Sequence, residues 1–257
     1  MVLVGLLLST AKAHASTCVL SPIVFPRPGE TAALNTHVFA RSIGVEPDAI
    51  ELRVSTTNAI VETTTTRIDQ GEVWYELTPK KPLLASTRYD VIEHRKPDRH
   101  IIGTFKTGTT TDTTPPRWTG TMKAELRVFK TAPSKRGVVT VDMLDHADHI
   151  TVDGPAVEDD VTSSDSIRYA IWANDDTKPI DFTGPPLHHR AEAKHVPHGA
   201  TARFTLGSVY LCDAAGFDVD KRRGKKFTIG VRPYDLAGNY GEAKELIVDM
   251  TKSVPAH

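Results

Sequence analysis

Short runs of alternating apolar and polar residues constrain the fold of this chain more than any other feature. Four lie in the first half, IELRVS, EVWYEL, RYDVIEH and IIGTFKT, at residues 50–55, 72–77, 88–94 and 101–107. Successive side chains of a strand point to opposite faces, so the alternation predicts strands with one face packed and one face wet. Turn-forming groups separate the runs, and no segment shows a sustained helical period with caps. The pattern predicts an all-β sandwich.

The second half of the chain repeats this pattern. Its runs are VVTVDML, IRYAIWA, ATARFTL, KFTIGVRPY and ELIVDM, at residues 138–144, 167–173, 200–206, 226–234 and 245–250. Two long acidic or proline-rich loops lie between them. Because loops held by a rigid scaffold commonly carry binding surfaces, a second sandwich with functional loops is expected.

The stretch KTGTTTDTTPPRWTG, residues 106–120, interrupts the alternation between Thr107 and Trp118. Pro115 and Pro116 cannot donate backbone hydrogen bonds, and a proline forces the residue before it into an extended conformation. We therefore expect a short, stiff linker over residues 111–117. It would join a first domain at residues 19–110 to a second domain at residues 118–252.

The N-terminus resembles an export signal. The apolar run MVLVGLLLST precedes Ala13 and Ala15, which form a small-residue cleavage site, although no Lys or Arg precedes the run. We predict a signal peptide over residues 1–15 and an exported mature protein that is periplasmic, surface-bound or secreted. The run is too short to span a membrane, so no transmembrane segment is expected after cleavage. The alternative is a buried N-terminal strand.

Export gives meaning to the two cysteines, Cys18 and Cys212. In an oxidising compartment they can form a disulfide that ties the mature N-terminus to the second domain. Two unpaired thiols are the alternative, since a bridge requires Cα atoms within about 7 Å of each other.

Charge argues against polyanionic partners. The formal net charge is -1 and aromatic residues make up 7% of the chain, so neither a basic surface nor a base-stacking platform is indicated. We expect no nucleic-acid partner.

The segment WYELTPKKPLLASTRYDV resembles a signature of bacterial Ig-like domains of the surface-layer-protein type. FPRPGETAALNTHVFAR and IIGTFKTGTTTD resemble the opening and closing segments of the same family. Tyr89 then occupies the position of a tyrosine corner, whose hydroxyl pins a loop. Trp74 alternates with Tyr75, so one ring is expected in the core and the other on the outer face.

In the second domain, VRPYDLAGNYGE resembles the Asp-x-Ala-Gly-Asn hairpin of fibronectin-type-III-like and other bacterial Ig-like modules, and DTTPPRW resembles their opening. Asp235 is expected to cap backbone amides of the turn, and Gly238 and Asn239 suit positive φ. The resemblance implies a last hairpin with a structural role and no chemistry.

Two groups of side chains offer candidate metal ligands. Imidazoles that could bind Zn²⁺ come from six histidines: His146, His149, His188, His189, His195 and His198. Oxygens that could bind Ca²⁺ come from seven acidic residues: Asp153, Glu158, Asp159, Asp160, Asp165, Asp175 and Asp176. No recognised metal-binding spacing is present, so we expect solvated loops and no cofactor, with Zn²⁺ or Ca²⁺ as the alternatives.

No nucleophile elbow, His-Glu-x-x-His motif or phosphate-cradling glycine pattern is present in the sequence. We therefore expect a non-catalytic protein of the cell envelope that acts as an adhesion, spacer or binding module toward a protein or glycan. Two alternatives stay open. One is a metal-assisted hydrolase that uses the histidine-rich loop, and the other is a purely structural subunit of a surface assembly.

Overall fold

The computed structural model describes residues 22–41, 46–69, 73–95, 97–121, 123–127, 149–155, 157–190, 201–206 and 220–251. In these ranges the chain is all-β, and its helical content is two short 3-10 turns, Pro47–Ala49 and Asp220–Arg222. It forms two tandem β-sandwiches, as the alternation predicts, and they are Ig-like, as the family resemblance implies. No helix within the described ranges has the length and apolar character that a membrane crossing requires.

The first sandwich is built from nine strands: β1 (Ile23–Phe25), β2 (Thr31–Ala32), β3 (Val38–Arg41), β4 (Ile50–Val54), β5 (Ile60–Val61), β6 (Thr63–Asp69), β7 (Val73–Pro79), β8 (Arg88–Arg95) and β9 (Asp98–Thr107). One sheet has the order β1-β3-β7-β6 and the other β2-β9-β8-β4-β5. Pairing is antiparallel except between β2 and β9. Alternation sends Tyr75, Leu77, Tyr89, Val91 and Phe105 into the space between the sheets, where all are buried.

The second sandwich contains the remaining strands: β10 (Arg117–Trp118), β11 (Lys123–Arg127), β12 (His149–Pro155), β13 (Val157–Glu158), β14 (Arg168–Ala173), β15 (His188–Arg190), β16 (Thr201–Leu206), β17 (Lys226–Tyr234) and β18 (Lys244–Asp249). They form sheets of order β11-β12-β16 and β15-β14-β17-β18, with β10 and β13 as a separate pair. The core includes Ile167, Tyr169, Ile171, Phe227 and Ile229.

A third apolar cluster joins the two sandwiches, and the alternation pattern does not predict it. The first domain contributes Phe25, Phe39 and Trp74, and the second contributes Trp172 and Tyr234 among others. The chain crosses between the domains after β9, and the segment that follows is hydrogen-bonded to both. The two layered cores are therefore separate, but the bodies that contain them are packed together.

Candidate functional site

Several predicted site residues fall outside the described residues. Cys18, Cys212, His146, His195 and His198 are among them, so the proposed disulfide and the full histidine set stay predictions.

The backbone places the other three histidines on different sheets of the second sandwich. His149 begins β12, while His188 and His189 lie in β15.

Tyr89 lies where the tyrosine-corner resemblance implies. Its hydroxyl accepts a hydrogen bond of 2.7 Å from the backbone N–H of Leu84, five residues upstream. Burial raises the pKa of the Tyr89 phenol, and the Leu84 bond opposes that shift. Trp74 and Tyr75 point to opposite faces of β7, and Tyr75 is the ring in the domain core. Trp74 is on the outer face, but the second domain buries it to 6% exposure.

The Asp-x-Ala-Gly-Asn turn after β17 is organised by the Asp235 carboxylate. Its Oδ1 accepts the backbone N–H groups of Ala237 (2.8 Å) and Asn239 (2.9 Å), and Gly238 has a φ of 84°. The expected positive φ at Asn239 is wrong, because Asn239 is not among the described residues with positive φ. Its side chain contributes instead, donating to Asp235 Oδ2 at 2.8 Å and to the Asp112 carbonyl at 3.2 Å. The hairpin thus contacts the linker between the domains.

Arg168 occupies the centre of the domain junction. It begins β14 in the second domain and is fully buried. The centre of its guanidinium lies 4.0 Å from the ring centroid of Phe39, 4.9 Å from that of Trp74 and 5.8 Å from that of Phe25. All three rings belong to the first domain. A desolvated cation over aromatic faces is stabilised by about 2 kcal/mol or more, so this side chain ties the second domain to the first.

The same guanidinium has few polar partners. Arg168 Nε donates to the Tyr234 hydroxyl at 3.1 Å, whereas Nη1 and Nη2 are buried without a hydrogen-bond partner among the described residues. Burial raises the pKa of Tyr234 to about 12, although the nearby Arg168 charge opposes the shift. Since a buried unpaired charge is costly, the three aromatic rings supply much of the compensation that this cation receives.

A carboxylate forms a second bridge across the junction. Glu30, in the first domain, accepts hydrogen bonds from the hydroxyls of Ser163 and Ser166 in the second, with Ser166 Oγ 2.6 Å from Oε2 and 2.8 Å from Oε1. The backbone N–H of Arg27 donates to the same carboxylate at 2.7 Å. The segment between β13 and β14, which the sequence presents as an open acidic loop, is therefore partly engaged with the first domain.

Beside this bridge, three carboxylates converge. One oxygen from each of Asp112, Asp159 and Asp235 lies within 4.8 Å of the others. They come from the linker, from the loop after β13 and from the β17–β18 turn. Two full negative charges at this distance repel by about 3 kcal/mol at an effective dielectric constant of about 20. The repulsion destabilises the folded state while all three carboxylates are ionised.

Asp112 is the most constrained member. It is 2% exposed, and its backbone N–H and carbonyl oxygen each bond the Asn35 side-chain amide at 2.8 Å. Its Oδ1 accepts the Thr114 N–H at 3.0 Å, while Oδ2 is buried with no hydrogen-bond partner. Burial raises the pKa of Asp112 to about 6, and the charges of Asp235 and Asp159 add to the shift while the Thr114 bond opposes it.

Asp159 resembles Asp112 in its bonding. Its Oδ1 accepts the N–H groups of Val161 (3.0 Å) and Thr162 (2.6 Å), and its Oδ2 is also buried without a partner. Burial raises the pKa of Asp235 as well, despite the bonds that it accepts within its turn. Asp159 also lines a cleft of about 330 Å³ at the junction, together with Glu30, Thr36 and Ser163.

The sequence identifies Asp159 as one of seven acidic candidate ligands and Asp235 as a turn cap, but it does not single out Asp112. Among the acidic candidates whose side chains the structure describes, none of the others joins the cluster: Glu158, Asp160, Asp175 and Asp176 are exposed, and Asp165 is half-buried. Asp153 is described for its backbone alone, so its part in a cluster stays a prediction. The one feature of the sequence that points to Asp112 is that it is a carboxylate inside a threonine-rich linker. Asp112 lies beside the loop after β13 and the β17–β18 turn because the two domains pack together, and the alternation pattern does not predict that packing.

No protein-family model matches the sequence, and no curated protein matches it. Solved structures to which this chain is similar include tandem Ig modules. A chimeric titin Z1Z2 functionalised with a KLER exogenous peptide from decorin is 10% identical, with 88% of this chain and 94% of that chain covered and a TM-score of 0.25. The N-terminal Ig1-2 module of the Drosophila receptor protein tyrosine phosphatase DLAR is 10% identical, with 88% and 97% covered and a TM-score of 0.28. Tandem Ig repeats of Dlar are 9% identical, with 87% and 95% covered and a TM-score of 0.28.

Proposed function

We propose that this chain is an exported, non-catalytic module of the cell envelope. Its two Ig-like domains form one rigid unit that holds a binding loop at a fixed distance from the first domain. The buried junction centred on Arg168 carries the proposal. Contacts between domains of one chain normally permit relative motion unless the interface is large and hydrophobic. Here aromatic rings of one domain enclose a cation of the other, and the Glu30 bridge lies beside them.

The loop between β14 and β15, residues 174–187, is the surface that we propose to contact a protein or glycan partner. The acidic loop after β13 is engaged at the junction, whereas this one exposes Asp175, Asp176 and Lys178. Asp175 is paired with the Arg222 guanidinium at 2.6 Å and Asp176 with Lys178 at 2.8 Å, so the charges are held in place at the surface. The loop is also internally braced. The Asn174 side chain donates to the carbonyl of Lys178 at 3.0 Å, and the ring of Phe182 packs edge-on against Trp172 at 5.1 Å. A braced loop loses little conformational entropy on binding, which favours a recognition role.

The resemblance of residues 19–110 to surface-layer-type Ig-like domains supports placement in the envelope, and the signal peptide predicted over residues 1–15 supports export. Fractionation of the native cell tests both. We expect the mature chain in the envelope or the medium, beginning at Ser16. Recovery of the protein from the cytosol with its leader intact would refute the proposal.

A pull-down from envelope extract tests the binding role. We expect the wild-type protein to retain a protein or glycan, and a variant with Asp175 and Asp176 changed to Asn to retain less of it. A matched control carries Glu158→Gln, an exposed acidic residue outside this loop. Equal capture by all three proteins would exclude the loop as the binding surface. Capture of nothing by the wild-type protein would leave the rigid spacer role, which small-angle scattering tests through the fixed interdomain distance.

A further inference from the structure

We propose that Asp112, Asp159 and Asp235 bind a calcium ion at the domain junction, and that this ion locks the linker onto the second domain. The proposal goes beyond the binding role above and does not depend on which partner the protein contacts. It rests on the convergence of the three carboxylates and, independently, on buried oxygen atoms that have no other partner.

The unpartnered oxygens point to a ligand. Buried polar atoms in folded proteins are almost always hydrogen-bonded, and exceptions call for a physical reason. Asp112 Oδ2 lies in a side chain that is 2% exposed and has no hydrogen-bond partner among the described residues. Asp159 is half-buried as a residue, but its Oδ2 atom is also buried without a hydrogen-bond partner among the described residues. In both residues the other oxygen is held by backbone N–H groups, so the carboxylates are fixed in orientation and their free oxygens are available to a cation.

Calcium fits this donor set. Ca²⁺ binds six to eight oxygens at about 2.3–2.6 Å, so oxygens on opposite sides of the ion are about 4.6–5.2 Å apart. The three carboxylate oxygens lie within 4.8 Å of one another, which matches this sphere. Zn²⁺ sites favour nitrogen and sulfur ligands, and none is part of the described cluster. Water would have to fill the remaining coordination positions, and Asp159 is the cluster member that lines the adjacent cleft.

The placement of the three ligands explains what the ion would do. Asp112 belongs to the linker and is also bonded through its backbone to Asn35 of the first domain. Asp159 and Asp235 belong to the second domain. An ion shared by all three replaces mutual repulsion with attraction, and it thereby couples the path of the linker to the position of the second domain. Calcium removal should loosen the junction without unfolding either core.

Calorimetric titration of the chelator-stripped protein with calcium chloride tests the proposal, together with Tm measured in calcium and in chelator. The test variants are Asp112→Asn and Asp159→Asn, which keep the side-chain shape and the Oδ1 acceptor. The matched control is Asp160→Asn, because Asp160 is the exposed neighbour of Asp159. Magnesium chloride and zinc chloride are titrated in parallel.

We expect calcium to raise the Tm of the wild-type protein and of the Asp160 variant. Both test variants should bind calcium at least roughly tenfold more weakly, because affinity in oxygen sites follows the number of charged ligands. In chelator, Asp112→Asn should melt above the wild-type protein, since it removes one of three repelling charges. This last readout confirms that the variant is folded.

Three results would overturn the proposal. One is the absence of a calcium-dependent heat and Tm change in the wild-type protein. Another is an equal calcium response in the wild-type protein and both test variants, which would place the ion elsewhere. The third is a response to zinc or magnesium that equals or exceeds the response to calcium, which would refute the assignment of the ion.

Discussion

The contact between Arg168 and Phe39 provides the sharpest test of how the two domains are held together. The centre of the guanidinium is 4.0 Å from the ring centroid, and the two residues are 0% and 2% exposed. A desolvated contact of this kind is expected to contribute about 2 kcal/mol. Each single substitution also changes packing and the desolvation of the charge, so neither alone measures the contact. A double-mutant cycle with Arg168→Met and Phe39→Leu isolates it, since both replacements approximately conserve volume.

Equilibrium unfolding in urea, followed by far-UV circular dichroism and by tryptophan fluorescence, gives the four free energies of unfolding. We expect a coupling energy of about 2 kcal/mol between the two substitutions. The matched control is the pair Arg232 and Tyr240. Its cation is 5.1 Å from the ring centroid, and the ring is 41% exposed. Exposed contacts of this kind contribute about 0.5–1 kcal/mol, so the cycle with Arg232→Met and Tyr240→Leu should give a smaller coupling.

Additivity would refute this reasoning. If the coupling between the Arg168 and Phe39 substitutions lies within about 0.5 kcal/mol of zero, the ring acts as packing material and the cation is compensated in another way. A coupling no larger than that of the control pair would lead to the same conclusion, because it would show that burial adds nothing to the contact.

Three further predictions concern separate parts of the molecule. In chelator, the free energy of unfolding should fall by about 1–3 kcal/mol between pH 4 and pH 7. The pKa of Asp112 is raised from 3.8 to about 6 in the folded protein, and stability from such a group is lost as pH rises through the folded value. Asp112→Asn should remove most of this loss, and a variant with the same pH profile as the wild-type protein would contradict the prediction. Gly241→Ala should destabilise the protein by about 1–3 kcal/mol in thermal melts, because the new Cβ would lie 2.3 Å from the carbonyl oxygen of Pro116. The control is Gly184→Ala, whose Cβ would meet no atom closer than 4.0 Å and which should change stability by less than about 0.5 kcal/mol. Tyr89→Phe should cost about 1 kcal/mol through the lost hydroxyl bond to the loop before β8, and a neutral result would show that the corner adds no stability.

The strands themselves could be predicted because alternation is a local property. The run KFTIGVRPY has the same bounds as β17, Lys226–Tyr234, and the interruption of the pattern between Thr107 and Trp118 matches the gap between β9 and β10. The turn around Asp235 could also be predicted, since its hydrogen bonds are made within five residues. Local chemistry determined these features, so a single sequence was sufficient to find them.

The candidate cation site could not be predicted in the same way. Its three carboxylates are separated by long stretches of sequence, and each has an ordinary local explanation as a linker, loop or turn residue. What brings them together is the packing of one domain on the other. Alternation identifies the side chains that point away from the core of a domain, but it does not show which of these side chains a neighbouring domain covers.

One signal of the junction was nevertheless present in the sequence. Along β1, β3 and β7 of the first domain, the residues that point away from the core include Phe25, Phe39 and Trp74, and the pairing register places Phe25 opposite Phe39. A solvated sheet face normally carries polar side chains, because a large contiguous apolar patch in water is unfavourable. Aromatic residues at successive outward positions of neighbouring strands therefore indicate a face that something covers. In this chain the second domain covers it, with Arg168 at the centre of the contact. Arg168 is the only charged residue in the run IRYAIWA, and it is suited to this aromatic face because aromatic rings attract a cation.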